Sequence, residues 1–466
     1  MTPPPPGILL VSCYELGHQP MGLAMPMGFL ARAGYEAETL DLAVERFDRK
    51  RVAGKWFVGI SVPMHTALRL GVHAARHVRE ISPEAHICFY GLYGSLNKDY
   101  LLGHGVDSVL GGEYEEALVE RIRMIDRQRA GGCTAPSAVD DRPAAGSGSD
   151  PVLARLSFPR PRRDRLPALT RYARLEMDGG ERTVGYTETS RGCLHGCLHC
   201  PIPPVYAGRF FVIPERIVLD DVRRMVSCGA RHITFGDPDF LNGPRHSMNV
   251  VRAMHLEHPR LTFDITTKIE HILRHRDLFP ELTELGCVFV VSAVESLSDR
   301  VLHHLDKGHS RADISEALDL LAASDIPMRP SLLPFTPWST LDDYLSLLEF
   351  VEERKMVDQV DPIQYSIRLL VPPGSSLLSK PDTRDWLGPL DEAALTYRWS
   401  HPDPRMDALH AEIGSIVERA TACDEDPCIT FGHIHTAART RAGRRAPAPY
   451  VPLNRRTPRL TESWFC

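Results

Sequence analysis

The chain has 466 residues, which is enough for two or three domains that each bury a full core. Its 54 basic and 60 acidic side chains nearly cancel to a net charge of −6, so no basic excess indicates a nucleic-acid surface. Its apolar runs are shorter than the roughly 20 residues that a membrane-spanning helix needs, so no membrane partner is expected.

The first part of the chain, residues 7–125, alternates short apolar strands with amphipathic helices. The predicted strands are 7–12, 35–40, 56–61, 86–90 and 106–110. Alternation of strands and helices at these lengths predicts a parallel, doubly wound α/β sheet of the Rossmann type. We assign residues 1–126 to this first domain.

The next segment, residues 127–165, is predicted to be a linker. Residues 127–152 are rich in Gly, Ser, Ala and Pro and show no apolar period. A Pro-containing stretch with four arginines follows, at Arg160, Arg162, Arg163 and Arg165. We expect this stretch to be a solvated connector.

Residues 166–385 contain six predicted strands separated by helices. The strands are 183–189, 232–235, 261–266, 287–293, 328–333 and 363–369. Six such repeats predict a partial (β/α)6 barrel, and active sites of βα barrels gather where the strands end.

Three cysteines follow the first of these strands: Cys193, Cys197 and Cys200, in the spacing Cys-x3-Cys-x2-Cys. Most iron–sulfur proteins hold a cluster with four cysteines. Three thiolates would hold a [4Fe–4S] cluster and leave one iron open to a chelating ligand. A structural zinc site that uses His195 or His199 is the alternative, but such sites usually draw ligand pairs from separate segments.

This motif at a predicted barrel strand end resembles the radical S-adenosylmethionine (SAM) superfamily. The resemblance implies an enzyme with a [4Fe–4S] cluster, SAM, and an electron donor such as flavodoxin or ferredoxin. It also implies reductive cleavage of SAM to a 5′-deoxyadenosyl radical that acts on a substrate the sequence does not identify. An oxygen-sensitive cluster favours a cytoplasmic location. His199 stands where this superfamily usually has an aromatic residue.

The resemblance also implies SAM-binding groups at the following strand ends. The candidates are Gly236, Asp237, Asp239, Lys268, Ser292 and Glu295. Gly236 and Asp237 match the turn that holds the SAM ammonium group, with Asp239 as the competing acid. Lys268 would pair with the SAM carboxylate, and Ser292 and Glu295 would contact the ribose. The alternatives are an ordinary Asp-Pro-Asp turn and solvated side chains.

Two arginines on the last two predicted strands, Arg329 and Arg368, would favour an anionic substrate if they face the barrel interior. Arginines that face solvent at strand ends are the alternative.

The first domain resembles the cobalamin-binding domain that precedes the core in one branch of the superfamily. The element order and the turn Gly111-Gly112-Glu113 carry this resemblance, but the Asp-x-His-x-x-Gly motif is absent. His18 lies in the first loop, where an exposed histidine is the ordinary case. Cobalamin binding therefore stays open, and with it a cobalamin-dependent methyltransferase. A non-catalytic iron–sulfur or metal sensor is a further alternative.

Residues 386–466 form a predicted C-terminal extension, helical over 386–422. Cys423 and Cys428, with two nearby histidines, would suit an auxiliary cluster, a zinc ion or a redox pair. Acidic residues between the two cysteines would raise the thiol pKa values, so structural cysteines are the alternative.

The last residues are Trp-Phe-Cys466. This ending resembles the tail of the CUAEP/CCAEP radical SAM proteins, in which Cys precedes selenocysteine or cysteine and then Ala-Glu-Pro. Those later residues are absent here. The hypothesis is that Cys466 is the first half of a redox pair and that a selenocysteine codon follows it; a natural end with an unrelated cysteine is the alternative.

Overall fold

The computed structural model describes residues 7–130, 151–445 and 457–462. The first five strands form one parallel sheet in the order β2-β1-β3-β4-β5. Their bounds are β1 Ile8–Ser12, β2 Glu38–Asp41, β3 Phe57–Ser61, β4 His86–Tyr90 and β5 Ser108–Leu110. The residues of β1 and β3 are all buried, as expected for strands covered on both faces by helices.

Six helices connect and cover these strands. They are α1 Met21–Arg32, α2 Arg49–Val52, α3 His65–Ile81, α4 Leu92–Leu96, α5 Lys98–Gly103 and α6 Glu115–Ala130. Helix α3 is amphipathic, and it buries Leu68, Ala75 and Val78 against the sheet. The predicted doubly wound α/β domain is confirmed.

A curved half-barrel sheet forms the second part of the chain, in the order β13-β12-β11-β10-β7-β6-β16. The strands are β6 Arg174–Met177, β7 Gly180–Thr187, β10 His232–Phe235, β11 Thr262–Thr266, β12 Cys287–Glu295, β13 Met328–Leu332 and β16 Arg459–Leu460. Strands β7 and β10 to β13 are parallel, whereas β6 and β16 are antiparallel at one edge. A small antiparallel pair, β8 Ser190–Gly192 and β9 Phe210–Val212, lies outside this sheet.

Helices connect the strands of the half-barrel and pack around them. They are α7 Ile202–Tyr206, α8 Glu215–Ser227, α9 Pro244–Glu257, α10 Ile269–Arg274, α11 Phe279–Glu284, α12 Asp299–His304, α13 Arg311–Ala323 and α14 Leu341–Glu353. Capping boxes begin α13 at Ser310 and α14 at Thr340, because each side chain accepts a hydrogen bond from the backbone of the third helical residue.

The prediction of a sixth barrel strand over 363–369 is wrong. Residues Pro362–Ser366 form a 3₁₀ helix, and only an isolated bridge between Phe335 and Arg368 extends the parallel pairing. Proline lacks the backbone N–H that a central strand donates, so it favours this break. The apolar residues of the segment still enter the core, where Tyr365 is buried.

The helix predicted over 386–422 is also partly wrong. A hairpin of β14 Leu387–Asp391 and β15 Thr396–Trp399 comes first, followed by α15 Pro404–Ala422 and α16 Pro427–Arg441. The carboxylate of Asp391 accepts hydrogen bonds from the backbone of Ala393 and Ala394. Such a local side-chain bond stabilises a turn at the expense of a helix.

The prediction of a solvated connector over 127–165 is partly wrong as well. Helix α6 extends into the predicted linker, and residues 131–150 lie outside the described ranges. Residues 151–165 contact the first domain, where Val152 forms a bridge with Gly112 and the Arg162 backbone N–H donates to the carbonyl of Ala24. Arg163 is buried and donates hydrogen bonds to Asp221, Gln19 and the carbonyl of Tyr186. The guanidinium therefore links the first loop to the half-barrel.

The hydrophobic core is continuous across both parts of the chain. One cluster of buried side chains contains Leu10 and Tyr90 of the first sheet together with Ile233 and Val290 of the second. Within the described ranges, no helix has both the length and the apolar character that crossing a membrane requires.

Candidate active site

The cysteine loop begins directly after β8, next to the carboxyl end of β7. Cys193 and Cys197 are buried and Cys200 is half-buried. The loop is held by backbone hydrogen bonds, of which the one from Leu198 to the carbonyl of Leu305 ties it to the end of α12. All three sulfurs thus lie at the strand-end side of the half-barrel.

Glycine is required where this loop begins. Gly192 has a φ of +75°, and a Cβ there would lie 2.4 Å from the carbonyl oxygen of Arg209. A side chain at this position would therefore meet both backbone strain and a backbone clash. Gly196, within the loop, has no neighbouring atom within 4 Å of its Cβ position.

The donor chemistry of the loop fits an iron–sulfur cluster. Burial raises the pKa of Cys193, and burial raises the pKa of Cys200 to about 12. Cluster ligands are thiolates, so loading must displace these protons. Among the described residues, the three thiols do not form a group whose ligand atoms all lie within 4.8 Å, as binding to one zinc ion would require.

Asp237, predicted to contact the SAM ammonium, has a carboxylate that faces inward. It accepts hydrogen bonds from the backbone N–H and the hydroxyl of Thr189 and from the hydroxyl of Ser190, at 2.8, 2.6 and 2.6 Å. Burial raises the pKa of Asp237. The side chain therefore fixes the segment that leads into the cysteine loop. The neighbouring Gly236 allows close packing, because a Cβ there would lie 2.0 Å from the Tyr186 hydroxyl.

Asp239, the competing acid, is fully buried beside two histidines. Its Oδ1 accepts hydrogen bonds from the Thr267 hydroxyl at 2.8 Å and from the Leu241 backbone at 3.2 Å. Its Oδ2 lies 3.3 Å from His195 Nε2 and 2.7 Å from His271 Nδ1. Burial by itself raises the pKa of Asp239, but the two imidazoles and the Thr267 hydroxyl bring it below its usual value.

Lys268 and Ser292 line the same side of the half-barrel. Lys268 directly precedes α10, is buried, and has its ammonium 3.6 Å from Glu270 Oε2. Ser292 on β12 is completely buried, and its hydroxyl makes no hydrogen bond within the described part of the chain. A buried hydroxyl without a partner is unfavourable unless a polar ligand forms a hydrogen bond with it.

Glu295 ends β12 with a φ of +61°, an unusual backbone conformation for a residue with a side chain. Its Oε1 lies 3.2 Å from His199 Nε2 and 3.3 Å from Lys307 Nζ. Burial alone raises the pKa of Glu295, but the positive charges of Lys307 and His199 lower it to about 2. His199, between the second and third cysteines, thus joins the cysteine loop to the end of β12.

A buried ionic cluster joins the cysteine loop to the first domain. Arg191 Nη1 lies 2.5 Å from Glu115 Oε1 and 3.9 Å from Glu113 Oε2, and Arg191 Nε lies 2.6 Å from Glu188 Oε1. The Tyr206 hydroxyl donates to Glu113 Oε1. Since Glu113 and Glu115 follow β5 and Arg191 precedes the first cysteine by two residues, the strand ends of the two sheets meet here.

Three other candidates, Arg329, Arg368 and His18, have internal partners. Arg329 pairs with Asp361 at 2.8 Å and Arg368 with Asp407 at 2.8 Å, so each guanidinium already has an internal partner. His18, expected in an exposed loop, is instead buried and stacked on Tyr186 with 4.6 Å between ring centroids.

Two of the C-terminal cysteines, Cys423 and Cys428, lie in the described part of the chain. Cys423 is exposed and Cys428 is buried in α16. Within the described residues, these cysteines and the two histidines after them form no group of three ligands within reach of one ion. The proposed auxiliary site therefore stays a prediction. Cys466 lies outside the described residues, so the selenocysteine hypothesis stays a prediction for the nucleotide sequence after its codon.

A family profile and two curated relatives match this chain in sequence. Residues 187–351 match the profile of the Radical SAM superfamily. The hopanoid C-3 methylase of Methylococcus capsulatus is 25% identical over 345 residues, covering 72% of this chain and 64% of that protein. The ribosomal protein uS12 methylthiotransferase RimO of Desulfotalea psychrophila is 26% identical over 190 residues, covering 39% of this chain and 42% of that protein. The chain thus spans less than two thirds of the length of either relative.

Two solved structures share the fold. The radical SAM methyltransferase TsrM from Kitasatospora setae, with cobalamin and a [4Fe–4S] cluster bound, aligns with a TM-score of 0.59 at 17% identity, over 75% of this chain and 73% of its own. The cobalamin-dependent radical enzyme OxsB, with aqua-cobalamin and SAM bound, aligns with a TM-score of 0.64 at 13% identity, over 90% of this chain and 67% of its own.

The half-barrel and its three-thiol loop define a radical SAM domain. Residues 187–351 match the Radical SAM superfamily in sequence, and these similarities support an enzyme that uses a [4Fe–4S] cluster and SAM.

Several residues of the site carry little or no signal in the sequence. Lys307 and His271 belong to no recognised motif and reach the site only through the fold. Glu188 lies close in sequence, three residues before Arg191, but it is also part of no recognised motif. Arg191 carried a weak signal, because a charged residue between a buried strand and the first cysteine needs a partner.

Proposed function

We propose that this enzyme is a cobalamin-dependent radical SAM methyltransferase. The observation that carries the proposal is the buried contact of Arg191 with Glu113 and Glu115, which joins the strand ends of the two sheets. Ligands of open α/β sheets and of βα barrels bind at the carboxyl ends of the strands. A cofactor held by the first domain would therefore face the cysteine loop.

Each group of residues at the half-barrel has a proposed task. Cys193, Cys197 and Cys200 would hold the cluster, which supplies one electron to SAM when bound. The backbone at Gly236 would bind the SAM ammonium, since the Asp237 carboxylate faces inward.

The remaining SAM contacts would come from the next two strand ends. Lys268 would pair with the SAM carboxylate, and the unpartnered hydroxyl of Ser292 would hydrogen-bond to SAM. Glu295 would be held as a carboxylate by Lys307 and His199, ready to accept hydrogen bonds from the ribose. The continuous core around these strand ends would exclude water.

Two features of the first domain support cobalamin. Ser12 ends β1 and is buried, and its hydroxyl has no hydrogen bond within the described residues. A polar ligand at this edge of the sheet would supply the missing hydrogen bond. The cobalamin-bound structures of TsrM and OxsB also share the fold over both parts of the chain. In this proposal cobalamin supplies the carrier for the methyl group.

A second candidate is a radical SAM enzyme that acts without cobalamin. His18, the histidine of the first loop, is stacked on Tyr186, and burial lowers its pKa to about 4. It is therefore a core residue and no evident ligand for cobalt.

The test is anaerobic reconstitution of the full chain with iron and sulfide, with and without hydroxocobalamin. After desalting, bound cobalamin is measured by its absorbance. 5′-Deoxyadenosine and S-adenosylhomocysteine are then measured after dithionite addition. The proposal predicts about one cobalamin per chain and formation of both products, with Cys197→Ser forming no 5′-deoxyadenosine. 5′-Deoxyadenosine without retained cobalamin would favour the second candidate, and intact SAM would contradict both.

A further inference from the structure

A compact group of three metal-binding side chains lies beside the cysteine loop and is separate from its thiols. His195, Asp239 and His271 each offer one ligand atom, and these atoms lie within 4.8 Å of one another. They come from three elements: the cysteine loop, the turn after β10 and helix α10. Asp239 and His271 are buried, and the His195 side chain is 15% exposed.

The three ligand atoms approach closely without forming hydrogen bonds. Asp239 Oδ2 lies 3.3 Å from His195 Nε2 and 2.7 Å from His271 Nδ1. None of these three atoms has a hydrogen-bond partner of acceptable geometry in the described structure. A buried carboxylate oxygen without a donor is unfavourable, and a shared cation would satisfy all three atoms at once.

The surroundings of the group resemble the support that metal ligands usually have. The other oxygen of Asp239 is fixed by the Thr267 hydroxyl and the Leu241 backbone, which leaves Oδ2 for a ligand. The other nitrogen of His195, Nδ1, lies 3.6 Å from Glu270 Oε2. This distance is longer than a hydrogen bond, so Glu270 is a neighbouring carboxylate on the far side of the imidazole and not a bonded partner.

We propose that His195, Asp239 and His271 bind one divalent transition-metal ion. Two imidazoles and one carboxylate suit Fe²⁺ or Zn²⁺ and leave coordination positions open for water or another ligand. Because His195 lies between Cys193 and Cys197, the ion ties the cysteine loop to β10 and α10 independently of the cluster. The proposal does not depend on methyl transfer or on cobalamin.

The experiment counts metal on the reconstituted full-length enzyme. The protein is loaded anaerobically with Fe²⁺ and sulfide, desalted, incubated with Fe²⁺ alone or Zn²⁺ alone, and desalted again. Iron, zinc and acid-labile sulfide are then measured per chain. A [4Fe–4S] cluster contains equal iron and sulfide, so the proposed ion is seen as about one iron in excess of sulfide, or about one zinc.

Three variants assign the ion to this group. His271→Gln and Asp239→Asn are expected to lose the additional ion while the cluster absorbance remains. His275→Gln is the matched control, since His275 contacts the His271 ring but is not one of the three ligands, and it is expected to keep the ion.

Two results would overturn the proposal. One is wild-type enzyme with iron equal to sulfide and no retained zinc, which would leave a histidine–aspartate group without metal. The other is an additional ion that persists in both His271→Gln and Asp239→Asn. If Asp239→Asn does not yield folded protein, His271→Gln decides the assignment.

Discussion

Replacing Arg191 by methionine tests the ionic cluster that joins the first domain to the cysteine loop. The change removes the guanidinium but retains an apolar chain of similar length. It would leave Glu113 and Glu115, both completely buried, and the largely buried Glu188 without their cation. Breaking a buried pair by removing one partner typically costs about 3–5 kcal/mol. We expect the free energy of unfolding to fall by about 4 kcal/mol at pH 8.

The loss should be smaller at lower pH. Burial raises the pKa of Glu113 to about 7 even though Arg191 opposes this, and burial also raises the pKa of Glu188. Without Arg191 these carboxylates can take up protons at pH 6, which relieves part of the repulsion.

The assay is urea denaturation of the reconstituted enzyme, followed by far-UV circular dichroism at pH 6 and pH 8. The matched control is Arg123→Ala, which removes an arginine from an exposed pair with Glu120 and should change the free energy of unfolding by less than about 0.5 kcal/mol. The double variant Arg191→Met with Glu115→Gln should recover part of the lost stability. A loss for Arg191→Met no larger than that of the control, at both pH values, would refute the reasoning.

Two further predictions concern Glu15 and the cysteine loop. Burial raises the pKa of Glu15 from 4.5 to about 8, so the folded chain keeps a proton that the unfolded chain releases as the pH rises through this window. The stability that protonated Glu15 contributes is therefore complete below about pH 4.5 and is lost by about pH 8. In denaturation curves, the free energy of unfolding of the wild type should fall by on the order of 4 kcal/mol between pH 5 and pH 9, and Glu15→Gln should abolish this decline. An unchanged pH profile in the variant would contradict the raised pKa of Glu15. Gly192→Ala should destabilise the chain by about 1–3 kcal/mol and reduce bound iron after reconstitution, because of its backbone clash and positive φ, whereas Gly196→Ala should retain wild-type iron. Equal iron in both variants would show that the strain at Gly192 does not matter.

Local sequence patterns predicted most of the elements but not all of their boundaries. The apolar runs of the first domain and of strands β7 and β10 to β13 predicted parallel strands, because buried parallel strands are largely apolar. The same rule failed at Pro362–Ser366, where an apolar run serves the core as a 3₁₀ helix. The helix expected over 386–422 failed for a different reason: the Asp391 side chain stabilises a turn, and a hairpin replaces the first part of the helix.

The sequence by itself determined the three-thiol loop, because the spacing of Cys193, Cys197 and Cys200 is a local property of the chain. It also placed polar candidates at the strand ends, since parallel strands bring those ends to one side. Only the tertiary structure decided what each candidate contacts. Lys307 reaches Glu295, and Arg191 reaches Glu115 across 76 residues of chain. Such partners depend on how helices and loops pack at long range, and no local pattern of residues encodes that packing.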